Sequence, residues 1–252
     1  RLTTYRQICA QVAREFNLIA CFMSKPFMGV SANGCHTNVS LWKGGELKST
    51  PIGNNPLPGM DQVFTHISGG ENMFMPDPKI DAVKPGPVGL NSIAGLLKHL
   101  PALTCLGSPT VNSYRRLWDT GFWAPVYADW GYQNRTCSVR VSAPGRVEYR
   151  SVDSSHNPYL MGAGILKAFE DGLDNKMDPG EPEKKNIYDA MKEGKEVDKL
   201  PLTLGEAIQR LNSDEIIKSA LPEDMLRVFM HYKNDEWEKF LSAVTQWDVD
   251  TY

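Results

Sequence analysis

One short segment of the chain places an acidic residue between two arginines. In the run Arg146-Val147-Glu148-Tyr149-Arg150, alternate residues project from the same face of a β-strand, so two guanidinium groups would flank the Glu148 carboxylate. Such a trio suits a divalent cation that bridges an anionic substrate while the arginines hold phosphate oxygens. An exposed, salt-bridged face of a sheet is the competing interpretation.

The distribution of basic residues also points to anions. No lysine occurs between Lys98 and Lys167, whereas a merely solvated surface uses lysine and arginine together. The guanidinium group is planar, always charged, and able to grip carboxylates and phosphates with two parallel hydrogen bonds. We therefore predict an anion-binding site built from six of the chain's eleven arginines, Arg115, Arg116, Arg135, Arg140, Arg146 and Arg150.

Composition restricts the class of protein. The 252 residues are 41% hydrophobic and 23% charged, which excludes a disordered, collagenous or coiled-coil chain. No stretch approaches the ~18 apolar residues of a membrane span, so no membrane partner is expected. The five cysteines have no C-x-x-C spacing, which predicts reduced thiols in the cytoplasm rather than disulfides or a zinc site.

The net charge of −3 conceals two differently charged parts. Residues 1–169 carry 16 Lys and Arg against 10 Asp and Glu, and residues 170–252 carry 11 against 20. Residues 112–127 mix bases and aromatics, a pattern also typical of nucleic-acid stacking surfaces. The acidic overall balance, with a sequence pI of about 6.0, argues against that alternative.

The positions of apolar and turn residues predict an α+β protein. Apolar spacing predicts helices over residues 1–17, 90–106, 157–173 and 223–244, with a capping box at Thr203-Leu204-Gly205-Glu206 and a helical segment over 200–252. Strands are predicted over 19–23, 36–42, 135–141 and 146–150. Residues 43–89 are rich in Gly, Pro and Asn and predict a long functional loop with little regular structure. The irregular alternation of strands and helices favours α+β over a doubly wound sheet.

Two further patterns refine the search for a site. Neither Gly194-Lys195 nor Gly162-x-Gly164 completes a phosphate-binding loop, so ATP would have to bind without that cradle. Four of the five histidines are predicted to be structural. His36 differs because it opens a predicted strand directly after Asn33-Gly34, where its side chain can face a pocket.

Several short strings together resemble the catalytic domain of the glutamine synthetase family, in the family's order and over nearly the whole chain (1–252). The strings lie at residues 22–26, 33–36, 95–99, 109–117, 124–125, 134–136, 146–150 and 157–160. The C-terminal strings Glu236-Trp237-Glu238 and Thr245-Gln246-Trp247 look like the type III branch, close to γ-glutamylmethylamide synthetases.

The resemblance implies a fold and a reaction. It implies an antiparallel sheet that lines the active site and is flanked by helices. It also implies that ATP phosphorylates the γ-carboxylate of L-glutamate and that a small amine then displaces phosphate, with Mg²⁺ or Mn²⁺ between the substrates. A homo-oligomer of stacked rings, a dodecamer with active sites between subunits, is implied as well, with no nucleic-acid partner.

The resemblance also assigns residues, position by position. The metal nearest the nucleotide would be bound by His36 and Glu148. The nucleotide would be bound by Asn38, Ser40, Arg135, Arg140 and Arg146. Glutamate would be bound by Asn33, Gly34, Arg116 and Arg150, and Arg135 and Arg150 would act catalytically during phosphoryl transfer.

The chain departs from the family pattern in three ways. The small N-terminal β-grasp domain and the upstream glutamates that complete the metal sites are missing, so we expect the 252 residues alone to be inactive. The family's second strand histidine is Asn38, which puts its contact with the nucleotide in question.

The third departure concerns the amine. Trp123 stands where ammonia-using members carry a carboxylate that binds ammonium and takes its proton. An indole accepts no proton, but its π face attracts an alkylammonium by about 0.5–2 kcal/mol. We therefore expect methylamine or a similar alkylamine as the substrate that joins glutamate. Ammonia is the near alternative, and a non-catalytic assembly subunit or nucleic-acid binder is the distant one.

Overall fold

The computed structural model describes residues 2–51, 62–77, 79, 83–118 and 124–252. Its helices are α1 (Leu2–Glu15), α2 (Pro87–Gly107), α3 (Val111–Trp118), α4 (Pro158–Asp174), α5 (Ile187–Lys192), α6 (Leu204–Asn212), α7 (Glu215–Lys218), α8 (Glu223–Ser242) and α9 (Gln246–Thr251). Its strands are β1 (Thr37–Val39), β2 (Trp42–Lys43), β3 (Glu46–Pro51), β4 (Gln62–Ser68), β5 (Glu71–Asn72), β6 (Trp130–Tyr132), β7 (Val139–Ala143) and β8 (Arg146–Tyr149). Among the described helices none is long and apolar enough to cross a membrane.

The central sheet has the strand order β1-β8-β7-β6. Strand β8 pairs antiparallel with both β1 and β7, and β6 pairs parallel with β7. The register places Glu148 opposite Asn38 on one side and opposite Arg140 on the other. The predicted α+β fold is therefore confirmed, with one parallel pair in an otherwise antiparallel sheet.

Alternation along β7 and β8 separates a core face from a polar face. Val139, Val141, Val147 and Tyr149 are fully buried in the hydrophobic core. Successive side chains of a strand point to opposite faces, so Glu148 and Arg140 project away from that core. The sheet therefore presents its charged residues on the face opposite its apolar support.

Helices α2 and α4 form the main support beneath the sheet. Ile93, Leu96 and Leu100 of α2 are fully buried, and so is Ala168 of α4. The two backbones approach closely at Gly95, where an added Cβ would lie 2.0 Å from the carbonyl oxygen of Ala168. Only glycine fits this position, because any side chain would force the two helices apart.

Four predicted helices are confirmed within a few residues as α1, α2, α4 and α8. The expected N-cap of α6 is present, since the Thr203 hydroxyl accepts a hydrogen bond from the Glu206 N–H. The reciprocal half of the box is absent there, because the Glu206 carboxylate accepts from the N–H of Leu202 instead. A complete capping box occurs at α9, between Thr245 and Asp248.

Two predictions of local structure are wrong. Residues 19–23 form no strand, and Ile19 is 94% exposed, because this apolar run has no neighbouring strand to pair with. The described parts of segment 43–89 have more regular structure than predicted, because they contain the end of β2 and all of β3 to β5, paired as β2–β5 and β3–β4. Residues 52–61, 78 and 80–82 of this segment lie outside the described residues. Its glycine pairs 44–45 and 69–70 have positive φ and make the turns between these strands.

A buried histidine ties three helices together. His99 of α2 is 2% exposed, and its Nδ1 and Nε2 atoms lie 2.6 Å from Asp214 Oδ2 and 2.8 Å from Asp171 Oδ2. Asp171 belongs to α4 and also accepts from Lys98 at 2.8 Å, while Asp214 is the N-cap of α7. This histidine therefore has the structural role that its sequence context indicates.

The charges of this cluster depend on pH. Burial by itself lowers the pKa of His99, but the hydrogen bonds to Asp214 and Asp171 outweigh burial and raise it above its ordinary value. Burial by itself raises the pKa of both aspartates, but hydrogen bonds outweigh it and hold each pKa below its usual range. The donors are Lys98 and His99 for Asp171, and His99 and the Ile217 backbone N–H for Asp214.

We expect His99→Ala to lower the free energy of unfolding by about 2–4 kcal/mol, because it leaves two carboxylates without their shared partner. A raised histidine pKa stabilises the fold below about pH 6.5 and loses its effect as the pH rises through the folded pKa. Lowered aspartate pKa values stabilise it above about pH 4 and lose their effect as the pH falls.

Urea denaturation from pH 3 to 9 should therefore show the largest difference in the free energy of unfolding between the parent and His99→Ala at about pH 4–6.5. His231→Ala is the matched control, since His231 is exposed and its loss should change stability by at most about 0.5 kcal/mol. A difference that stays constant across this pH range would contradict a charged His99 cluster.

Candidate active site

A cavity of about 790 Å³ opens on the polar face of the sheet. It lies where β7 and β8 meet α3 and the segment from Lys25 to His36. Its lining is rich in cations and poor in carboxylates. The charged residues of the lining are Lys25, Arg116, Arg135, Arg140, Glu148 and Arg150.

Glu148 is the centre of the cavity's charge network. Its Oε1 atom accepts a hydrogen bond from Arg150 Nη1 at 3.0 Å, and its Oε2 atom lies 3.0 Å from Arg140 Nε in an ion pair. The side chain of Glu148 is only 8% exposed. This burial excludes the competing interpretation of an exposed, salt-bridged sheet face.

The prediction that Arg146 and Arg150 flank Glu148 is wrong for Arg146. Arg140 of the adjacent strand, and not Arg146, pairs with Glu148 together with Arg150. Arg146 is the first residue after the turn, where the register with β7 shifts between Val141 and Ala143. Alternation along a single strand predicts which face a side chain lies on, but not which cross-strand neighbour comes closest.

The residues predicted to contact the nucleotide divide into two groups. Arg135 and Arg140 line the cavity, whereas Arg146, Asn38 and Ser40 are outside its lining. The exposed Arg146 donates from Nε to Ser142 Oγ at 3.0 Å, and Ser142 Oγ donates to Asn38 Oδ1 at 3.4 Å. Ser40 Oγ accepts from Trp42 Nε1 at 2.9 Å. Arg146 and Asn38 thus share one hydroxyl, beside the cavity rather than in it.

His36 lies where a metal ligand would be expected. Its Nδ1 atom is 3.1 Å from Glu148 Oε1 and 3.3 Å from Arg150 Nη1. Burial, followed by the charge of Arg150, lowers the pKa of His36 to about 4, so the imidazole is neutral near pH 7. A neutral imidazole is the form that binds metal ions.

A divalent cation fits this pair only in part. His36 and Glu148 offer one nitrogen and one carboxylate donor. Within the described residues no group of three or more His, Cys, Asp and Glu is arranged to hold a metal ion. The two residues are therefore able to supply part of a coordination sphere, and further ligands would have to come from elsewhere.

Arg116 and Arg150 each have a buried N–H group without a hydrogen-bond partner among the described residues. Arg116 is 4% exposed, its Nη2 donates to the Arg150 carbonyl at 3.0 Å, and its Nη1 has no hydrogen-bond partner among the described residues. Arg150 donates from Nη2 to the Arg135 carbonyl at 3.0 Å, while its Nε is unpartnered. Such donors are suited to an anionic ligand, because a buried unpaired donor is costly.

Sequence reasoning missed one charged residue of the lining. Lys25 occurs in the string Phe22-Met23-Ser24-Lys25-Pro26 but received no role, although it is only 8% exposed. Lysine is almost never buried without a partner, so a lysine within an apolar and proline-bounded run was the available signal. Trp123, the residue predicted to face the amine, lies outside the described residues; the next residue, Ala124, lines the cavity.

In the described part of the basic and aromatic segment, residues 112–118 and 124–127, two residues that could contact a base are buried. Tyr114 is 3% exposed and Arg116 is 4% exposed. Trp118 is exposed, but its Nε1 donates to the Leu202 carbonyl at 3.1 Å. The mixture of residue types therefore reflects a helix that packs into the core and directs one arginine into the cavity.

These features define a class of protein. A mixed sheet backed by helices presents several cations, one carboxylate and one neutral imidazole to a single cavity, an arrangement that is suited to anionic ligands. The family model of the glutamine synthetase catalytic domain matches residues 1–76 and 62–252. The chain belongs to the glutamine synthetase family and has its catalytic-domain fold.

Individual relatives agree with this assignment. The chain is 35% identical over its whole length to glutamine synthetase of Pyrococcus furiosus and 37% identical over 98% of its length to that of Archaeoglobus fulgidus. It covers 54% and 48% of those proteins. The chain therefore spans about half the length of the curated relatives it matches.

Two solved structures of GmaS are similar to this chain. The apo structure without ligand has a TM-score of 0.79 and 31% identity, covering 98% of this chain and 51% of the other. The GmaS/ADP complex has a TM-score of 0.82 and 32% identity, covering 100% of this chain and 53% of the other. Both similarities are high enough to support the fold.

We expect Gly34→Ala to weaken ligand binding at least about tenfold, because an added Cβ would lie 2.9 Å from Nε2 of His36 and displace the imidazole. The measurement is the increase in melting temperature that ADP with Mn²⁺ produces in parent and variant proteins. Gly162→Ala is the matched control, since a Cβ there meets no atom within 4 Å. An unchanged ligand-induced increase in Gly34→Ala would contradict a tightly held imidazole.

Proposed function

We propose that the protein containing this chain is an ATP-dependent ligase that joins the γ-carboxyl of L-glutamate to a small amine. The supporting observation is the buried Glu148 carboxylate, which lies 3.1 Å from the neutral His36 and is paired with two guanidinium groups in a cation-lined cavity. Membership of the glutamine synthetase family supports the same chemistry.

The proposed reaction has two steps. An oxygen of the γ-carboxylate attacks the γ-phosphorus of ATP, the bond to the bridging oxygen breaks, and ADP leaves. The amine nitrogen then attacks the acyl carbon of γ-glutamyl phosphate. The carbon–oxygen bond breaks, inorganic phosphate leaves, and the nitrogen loses its extra proton.

The chain's own residues supply binding and charge neutralisation. We assign the glutamate carboxylate to Arg116, whose Nη1 is buried and unpartnered, together with Asn33 and Gly34. Arg135 and Arg140 offer guanidinium groups to the phosphates, where charge develops during transfer. Arg150 holds Glu148 and the Arg135 backbone, which orients both toward the reacting groups.

A second set of assignments rests on position rather than on the cavity lining. We propose that Asn38, Ser40 and Arg146 also contact the nucleotide. Asn38 and Arg146 share the Ser142 hydroxyl beside the cavity. His36 and Glu148 would hold Mg²⁺ or Mn²⁺, which when bound supplies charge neutralisation of the phosphates.

The site needs residues that the described part of this chain does not provide. Only two donors for a metal are at hand, and the relatives are about twice as long. We propose that a preceding domain and a neighbouring subunit of a homo-oligomeric ring, a dodecamer of stacked rings, complete it. The exposed apolar residues Tyr5 and Ile8 of α1, and Phe16 directly after it, offer surface for such contacts. The five unpaired cysteines accord with a cytoplasmic protein.

If this proposal is correct, the isolated 252-residue chain releases no ADP from ATP with glutamate and an amine, because its metal site is incomplete. The longer protein does so under the same conditions. A coupled assay for ADP on both preparations makes the comparison, with circular dichroism confirming that the isolated chain is folded. Amide synthesis by the isolated chain would contradict the incomplete site.

The amine is proposed to be methylamine. The support is Trp123 in the position before the cavity-lining Ala124, and the similarity to GmaS, a γ-glutamylmethylamide synthetase. An indole offers a π face to an alkylammonium and shields its methyl group, but it accepts no proton. Ammonia is the second candidate, because the most similar curated relatives reported above are named glutamine synthetases.

In a panel of ammonia, methylamine and ethylamine, we expect kcat/KM at equal free-base concentration to be about 2- to 30-fold higher for methylamine than for ammonia. Trp123→Glu should shift the preference toward ammonia, since a carboxylate binds ammonium and takes its proton. Trp247→Glu is the control, because Trp247 is exposed on α9. A parent enzyme that prefers ammonia would exclude methylamine as its substrate.

A further inference from the structure

Asn112 of helix α3 holds the segment 24–36 against that helix. Its Oδ1 atom accepts a hydrogen bond from the Lys25 N–H at 2.8 Å, and its Nδ2 atom donates to the Lys25 carbonyl at 3.0 Å. We propose that Asn112 is a positioning residue that sets the spacing between Arg116 of α3 and Gly34 of the segment. This inference rests on the proposed function and extends it to a residue outside the cavity lining.

The side chain of Asn112 engages both polar groups of one residue's backbone. Directly opposite residues of two antiparallel strands make the same exchange of an N–H and a carbonyl. An asparagine amide can make it because it offers an acceptor and donors together, whereas an aspartate carboxylate only accepts and alanine does neither. The residue type at position 112 therefore matches this contact, which involves the backbone of Lys25 and not its ammonium group.

The segment 24–36 forms one wall of the cavity, and its other end is held elsewhere. The Cys35 N–H donates to the Val152 carbonyl at 3.0 Å, and Asn33 Oδ1 accepts from the Ser154 N–H at 3.1 Å. These contacts fix the wall to the chain that follows β8, whereas Asn112 fixes it to α3. The residues of the segment that line the cavity are Lys25, Ala32, Asn33, Gly34 and His36.

The segment and α3 approach each other again at Gly34 and Arg116. A Cβ added to Gly34 would lie 3.7 Å from Arg116 Nη2, so the two residues are close neighbours. Asn112 and Arg116 are four residues apart on α3 and therefore lie on the same face of that helix. The contact of Asn112 with Lys25 is thus about one helical turn from the approach of Arg116 to Gly34.

A hydrogen bond inside the segment connects these two places. The Asn33 N–H donates to the Ser24 carbonyl at 2.9 Å, which joins the residue before Gly34 to the residue before Lys25. The Asn33 side chain also donates from Nδ2 to the Met23 carbonyl. Because the backbones on either side of this bond move together, release of Lys25 from α3 would also shift Gly34 relative to Arg116.

Helix α3 is a fixed support for this contact. The N–H of Val111, at its first position, donates to Glu236 Oε1 of α8 at 2.9 Å. Arg115 of α3 lies over the ring of Phe240, 5.9 Å from its centroid. A helix anchored at its start and along its outer face keeps Asn112 in place, so the segment is positioned against it and not the reverse.

The effect of Asn112 is expected on glutamate rather than on ATP. Asn33 and Gly34 of the segment are proposed glutamate contacts. His36, at the end of the segment, is held separately, because its Nδ1 atom lies 3.1 Å from Glu148 Oε1. The proposed nucleotide contacts Arg135 and Arg140 lie outside the segment, so the phosphate side keeps its geometry when the Asn112 contact is lost.

The test compares Asn112→Ala and Asn112→Asp with the parent in the complete protein. Loss of both hydrogen bonds in Asn112→Ala should raise the KM for glutamate about 10-fold, with the KM for ATP within about twofold of the parent. Asn112→Asp keeps the acceptor but sets a carboxylate oxygen against the Lys25 carbonyl, so its KM for glutamate should rise about 3-fold or more. Asn91→Ala is the matched control, because the Asn91 side chain also bonds a distant backbone carbonyl, that of Met177, away from the cavity; it should leave both KM values unchanged.

The remaining outcomes contradict the proposal. A KM for glutamate that stays at the parent value in Asn112→Ala, even with a lowered melting temperature, would make Asn112 only a structural link. Equal increases in both KM values would indicate a general loosening of the cavity. If Asn112→Ala does not fold, Asn112→Asp decides, because it keeps the side-chain volume and one of the two bonds. A folded parent that releases no ADP with any amine overturns the proposed function, and this inference with it, so the two failures are distinguishable.

Discussion

The burial of one carboxylate governs the arrangement of this site. A carboxylate with the low exposure of Glu148 is stable only if charges and donors compensate the water it has lost. Arg150 on the same strand segment, Arg140 on the neighbouring strand and the neutral His36 all reach it within 3.1 Å. The register of three strands, and the apolar core beneath them, must therefore be correct for this cluster to exist.

The positive charges around the cavity exceed the single negative charge of Glu148. Five cationic side chains line the described cavity against one carboxylate, and burial keeps the imidazole of His36 neutral. Buried guanidinium atoms of Arg116 and Arg150 also lack hydrogen-bond partners within the part of the chain that the structure describes. A cavity with this excess of positive charge favours anionic ligands, and four of the six arginines between Lys98 and Lys167 line it.

The elements of the fold could be predicted to different degrees. Long amphipathic or apolar helices such as α2 and α8 were recognisable, because their periodic patterns extend over several turns. The short paired strands within residues 43–89 were missed: glycines that mark a loop and glycines that join successive strands look alike in sequence. The run 19–23 has the apolar composition of a strand, but pairing requires a partner that only the tertiary structure supplies.

The sequence alone determined the chemical character of the site: the acid at Glu148, the arginines around it, the histidine at position 36 and the family that combines them. The tertiary structure decided the partners. Arg140, and not Arg146, pairs with the Glu148 carboxylate, and Lys25 from a distant part of the chain lines the cavity. The physical reason is that residue type and period are local properties, whereas cross-strand register and the docking of a helix depend on contacts between residues distant in the chain.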